Sequence, residues 1–135
     1  MMKLRLAAIA AVLLLGAFAT SQADETITRG NNLAVDASTD GRLVMDLAGG
    51  IWIVPLGGGE AAQVTTDLAS AYRPRWSPDA SQVAYTATAG DSNGIWLHEF
   101  ESNTTRRLRE GPYFDLHPTW HPSGERITFV SDRND

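Results

Sequence analysis

Several residues in this 135-residue chain have the types and spacing that chemistry requires. Gly90-Asp91-Ser92-Asn93-Gly94 fits Gly-x-Ser-x-Gly, the pattern that holds a nucleophilic serine on a sharp turn between a strand and a helix. That arrangement needs the helix, because its N-terminal amides hold the oxyanion. Ile95 to Phe100 read as a strand instead, so the expectation is a hairpin turn around Ser92. His117 and His121 stand four apart, as zinc ligands on one helix face do. Pro118 and Pro122 exclude that helix, so these histidines are expected in structural or surface roles, with a metal or ligand contact as the alternative. Asp115 and Asp132 are expected to cap turns, and Arg133 to pair across neighbouring blades. Asn103-Thr104-Thr105 fits a glycosylation pattern and is read as a turn. The chain has no cysteine, which excludes disulfides, thiolate metal sites and cysteine nucleophiles. No catalytic, cofactor-binding or metal-ligating residue is therefore expected.

The elements that would position these residues come in repeats. Arg73-Pro74-Arg75-Trp76-Ser77-Pro78-Asp79 matches His117-Pro118-Thr119-Trp120-His121-Pro122-Ser123, with Trp76 and Trp120 44 residues apart. Trp52 and Trp96 form a second ladder, also 44 apart, each preceded by Gly-Ile. A weaker first copy runs through Ala37-Ser38-Thr39-Asp40-Gly41, with Asp40 standing 39 residues before Asp79. Two tryptophan ladders with one period of about forty to forty-five residues indicate four-stranded propeller blades. Within a repeat the pattern is strand, turn, strand, turn. Val83, Tyr85 and Ala87 alternate with Ala84 and Thr86 at the period of a strand. Proline in second position presets the turn at Ser77-Pro78-Asp79-Ala80. No segment after residue 24 has a 3.6-residue apolar period, so the fold class is all-β. The expected blades lie near 30–66, 71–109 and 115–135, about two and a half in all, and the tryptophans are expected in the core between them.

The first two dozen residues read differently. Lys3 and Arg5 precede an apolar run from Leu6 to Phe18, and Ser21 and Ala23 occupy the small-residue positions of a cleavage site. Residues 1–23 are thus expected to be a signal peptide with a helical core, and 24–135 a mature chain placed in the periplasm or outside the cell. Nine arginines face sixteen carboxylates in that mature part, a net charge of −7 with no lysine. Such a balance offers no basic stripe for nucleic acid and little attraction to an anionic membrane.

Trp76-Ser77-Pro78-Asp79 with Val83-Ala84-Tyr85 resembles the blade signature of the TolB-like, WD-repeat-related β-propellers. Trp120-His121-Pro122-Ser123-Gly124 is similar, and continues through Ile127 to the Ser131-Asp132-Arg133 that closes the second strand of such blades. Trp52 and Trp96 complete the signature set. Ala80 departs from it where glycine is usual, and Ser123 where aspartate is usual. The opening repeat, with Asp40-Gly41, Ile51-Trp52 and Gly58-Gly59-Glu60, is similar to the propeller preceding the catalytic barrel of exported amidohydrolases. Propellers of prolyl-oligopeptidase-type peptidases are also similar. The resemblance implies a non-catalytic binding or scaffolding module without a cofactor, whose partner is a protein or a downstream catalytic domain. Propellers close with four to eight blades, so the missing ones are expected from a longer chain or from self-association.

Overall fold

The computed structural model describes residues 33–65 and 70–133. The expected signal peptide lies outside them. Ten strands occur among the described residues, and no helix does. The first sheet runs β1 (Val35–Ala37), β2 (Arg42–Leu47), β3 (Gly50–Pro55) and β4 (Ala62–Gln63), in that spatial order. The second repeats the order with β5 (Ala71–Trp76), β6 (Gln82–Ala89), β7 (Ser92–Glu99) and β8 (Thr104–Arg107). The third is a pair, β9 (Asp115–Trp120) with β10 (Ile127–Ser131). Every pairing is antiparallel.

Register aligns the repeats residue by residue. Met45 pairs with Trp52 in the first sheet and Tyr85 with Trp96 in the second, so Asp46 and Thr86 occupy one position. Gly50 and Gly94 also correspond, and both lack a side chain for the same reason. A Cβ on Gly50 would meet the Gln63 side chain at 2.8 Å, and one on Gly94 would meet the Arg107 guanidinium. The Gly-Ile preceding each tryptophan is therefore the place where an outer-strand side chain crosses the third strand.

The sheets stack face to face through the leading strand of the later one. β5 packs on β1, β2 and β3, and β9 packs on β5, β6 and β7. Between the first two sheets lies a core of Val44, Ile51, Ala71, Trp76, Ala80, Val83, Tyr85 and Ala87. Ile53, Val64, Trp96 and Phe100 pack against it. Ala84 and Thr86, which alternate with the apolar residues of β6, are fully buried as well. The second sheet has a neighbour on each face, so the polar phase of its central strand also loses solvent. The hairpin after β6 is tighter than the glycine cluster suggests: β7 already begins at Ser92, which pairs with Ala89. Only Gly90 and Asp91 turn.

Candidate functional site

The repeat signature builds one turn three times. In the second sheet the Ser77 hydroxyl donates to Asp79 Oδ1 at 2.6 Å and accepts the Gln82 N–H at 2.9 Å, while Asp79 Oδ1 also accepts the Ser81 N–H at 3.1 Å. The first sheet has Ser38 donating to Asp40 and accepting the Arg42 N–H at 2.8 Å. In the third, His121 Nδ1 lies 2.9 Å from the Ser123 hydroxyl and accepts the Ser123 N–H at 3.1 Å. The third turn is wired differently: its imidazole accepts the N–H two residues on, whereas the serine hydroxyls donate to a carboxylate two residues on and accept an N–H four or five residues on. These bonds fix acid strength: the Ser77 hydroxyl holds Asp79 below the usual carboxylate range. The Arg42 guanidinium and then the Ser38 hydroxyl bring Asp40 down to about 2. Pro78 and Pro122 stand second in their turns, which close with Ala80 N–H on the Ser77 carbonyl and Gly124 N–H on the His121 carbonyl, each at 2.9 Å. The closing residues Gly41, Ala80 and Gly124 all have positive φ, at 85°, 60° and 77°.

The four tryptophans separate by role. Trp76 is buried in the core, 5.2 Å from Phe100, and the Arg42 guanidinium lies over both rings at 4.4 and 4.8 Å. Trp96 packs at the edge of that core. Trp52 Nε1 donates to the Leu47 carbonyl at 3.2 Å, and Trp120 Nε1 donates across sheets to the Arg75 carbonyl at 3.1 Å.

Two inter-sheet anchors were not foreseen from the sequence. Asp46 is buried, and its two oxygens accept the Ala34 N–H at 2.8 Å and the Arg73 N–H at 2.7 Å. The matching Thr86 hydroxyl accepts the His117 N–H at 3.1 Å. Arg73 and His117 both sit at bulges with positive φ, 54° and 58°, each before a buried proline. Anchoring a left-handed backbone from the preceding sheet offsets its strain and turns both side chains to solvent. The only hint in the sequence was a carboxylate at Asp46 next to the apolar run Leu43-Val44-Met45.

Asp115, Asp132 and Arg133 form a clamp inside one sheet, which corrects the expectation that Arg133 pairs across blades. Asp115 is buried and receives the Ser131 hydroxyl at 2.7 Å and the Arg133 guanidinium. Asp132 accepts the Phe114 N–H at 2.9 Å, and the Arg133 guanidinium lies 4.4 Å from the centre of the Tyr113 ring. Both partners flank the same hairpin, so antiparallel pairing of β9 with β10 brings them together directly.

Ser92 is buried in its hairpin, where it donates to the Ala89 carbonyl at 3.4 Å and accepts from Arg107 at 3.1 Å. A strand follows it, as β7, rather than the helix an oxyanion hole would use. His98 is the buried imidazole of that strand. Its Nδ1 lies 2.9 Å from the Thr105 hydroxyl, and burial pushes its pKa down. Asn103 is exposed in a turn at φ 50°. Among the described residues no three His, Asp or Glu side chains cluster as metal ligands would.

No family model matches the chain. It is 32% identical over 78 residues to an uncharacterized peptidase, YuxL, of Bacillus subtilis, covering 57% of this chain and 12% of that protein. To the Tol-Pal system protein TolB of Anaeromyxobacter dehalogenans it is 38% identical over 45 residues, 33% of this chain and 10% of the relative. The chain thus spans about a tenth of the length of the curated relatives it matches. The crystal structure of TolB from Acinetobacter baumannii superposes with a TM-score of 0.65 at 25% identity, over 78% of this chain and 28% of that one. With two four-stranded sheets of one register, a third pair of strands on the same plan, and these likenesses, the chain has the fold of the TolB-like β-propellers.

Proposed function

We propose that this chain is an exported propeller module that binds or supports a protein partner and carries no chemistry of its own. The observation behind this reading is what the buried polar side chains do. Asp46, Ser77 and Thr86 each bond a backbone amide, Asp115 holds its own hairpin, and Ser92 is covered by Arg107. Among the exposed residues of the leading strands β5 and β9 are instead Arg73 and His117, on backbone anchored from behind, a presentation suited to binding. The chain purified in full should therefore leave nitrophenyl esters and peptide anilides at the buffer rate. Turnover that Ser92→Ala abolishes would sink the proposal.

A second reading draws on the likeness to the B. subtilis peptidase. The module would then be the leading propeller of an exported amidohydrolase or prolyl-oligopeptidase-type peptidase, with catalysis elsewhere in the polypeptide. Antibody against the propeller discriminates the two in source cells. A band several times heavier than 14.6 kDa supports the enzyme-linked reading, and one at or just below that mass excludes it.

A further inference from the structure

One row of side chains across the second sheet is left with unused hydrogen-bond donors. Tyr85 on β6 pairs with Trp96 on β7, and Trp96 pairs with Arg107 on β8. Residues directly opposite in antiparallel strands share a face, and Tyr85 sets this one toward the first sheet, where it joins the core. Each of the three carries a buried polar atom without a hydrogen-bond partner among the described residues: the Tyr85 hydroxyl, Trp96 Nε1 and Arg107 Nε. The other two such atoms, Trp76 Nε1 and Arg133 Nε, have no such neighbour across a strand pair.

The same row in the first sheet reads Met45, Trp52 and Gln63. There Trp52 Nε1 reaches the Leu47 carbonyl at 3.2 Å. In the second sheet the Arg107 guanidinium lies over Gly94 where Gln63 lies over Gly50, and the Trp96 N–H has no acceptor. Tyrosine and arginine in place of methionine and glutamine thus bring in two more donors and a positive charge. The Arg107 side chain is nine-tenths buried, and its ion pair is a loose one, with the 86% exposed Glu110 at 3.8 Å. Its Nη2 is spent on the Ser92 hydroxyl and on the Asn93 and Gly111 carbonyls, at 3.1, 3.5 and 3.2 Å. These contacts fix the guanidinium without neutralising it, a costly state for a buried charge.

Trp96 Nε1 and Arg107 Nε can only donate. Thr105 stands close enough to the Tyr85 hydroxyl to oppose the burial that pushes this phenol up to about 12, but makes no hydrogen bond with it. The phenol therefore keeps its proton at neutral pH and can donate as well. Such a set is completed by a partner that only accepts and carries negative charge, whereas a water molecule would bring hydrogens of its own. All three atoms are closed off from solvent, which limits the partner to a small ion.

We propose that Tyr85, Trp96 and Arg107 form a binding site for one small anion of halide size on the inner face of the second sheet. The three donors hold the ion, and the ion balances the buried guanidinium. The site owes nothing to the protein-binding reading above, so either can fail alone.

The test titrates sodium chloride into the full chain at constant ionic strength, with sodium gluconate making up the balance, while side-chain N–H resonances are followed by NMR. The Trp96 indole and Arg107 Nε–H resonances should shift saturably with chloride, and the carbonyl-bonded Trp52 and Trp120 indoles should stay still. Arg107→Gln, which puts the first sheet's residue into this row, should lose the Trp96 shift. Tyr85→Phe, which keeps the ring and removes the hydroxyl, should weaken chloride binding about tenfold, the scale of one hydrogen bond to a charge. The proposal is overturned by any of four results: no saturable shift, an equal shift when gluconate alone is raised, a Trp96 shift kept in Arg107→Gln, or unchanged affinity in Tyr85→Phe.

Discussion

At the scale of single residues, the side chains that matter most are those that hold backbone rather than face substrate. Asp46 satisfies two amides from separate segments, and removing it leaves both without a partner in a partly buried place. Asp46→Ala should therefore cost about 2–3 kcal/mol in urea unfolding, whereas Asp46→Asn, which keeps one acceptor, should cost about 1 kcal/mol. Titration should report on His98. Burial lowers its folded pKa beneath the ordinary 6.5, so the unfolded chain binds the proton more readily. Its contribution is complete above 6.5 and is lost as pH falls from there through the folded value. The contribution of Asp40 behaves alike in a lower window, complete above 3.8 and lost as pH falls toward about 2, with Asp79 acting in the same direction. Denaturant midpoints between pH 7.5 and 5 should thus decline in the native chain and flatten in His98→Gln. An unchanged slope in that variant would assign the loss to other groups.

At the scale of elements, the turn is the unit that the sequence displays most openly. Its bonds join residues two to five apart, so the Ser-Pro-Asp and His-Pro-Ser motifs announce it without knowledge of the fold. Turn closure demands positive φ, which explains why Ala80 departs from glycine only at a cost. Gly124→Ala should lose about 1 kcal/mol from backbone strain alone, because the new Cβ would stand 3.8 Å from Pro78, an ordinary contact. Ala80→Gly should be nearly neutral by comparison. It relieves similar strain but gives up a buried methyl worth about 0.8 kcal/mol. Thermal unfolding of the two variants checks the asymmetry, and an equal effect from both would contradict it. The strands were legible from alternation and from the tryptophan ladders. The Asp46 and Thr86 anchors were not, since each joins residues about thirty apart, and only the sheet-on-sheet packing brings them together. Arg133 illustrates the same limit: its type suggested a partner, but only the hairpin register shows that the partner is Asp115 in the same sheet.

At the scale of the whole molecule, the described residues form a row of sheets in which each contacts the next, so stability should pass from neighbour to neighbour as in other repeat folds. The second sheet has both faces covered, while Leu33 and Val35 at one end and Val130 at the other remain exposed. That asymmetry makes the middle sheet the stable unit and the outer ones its dependants. The central claim is that successive sheets dock through one repeated contact, in which a side chain of the earlier second strand anchors the bulge of the next leading strand. Amide hydrogen exchange at Arg73 and His117 tests it most directly, because both residues have exposed side chains but anchored N–H groups. Both amides should exchange far more slowly than that of an exposed loop residue such as Gly57, Asp46→Ala should expose Arg73 but not His117, and Thr86→Val should expose His117 but not Arg73. Loop-like exchange at either position in the native chain would contradict the account.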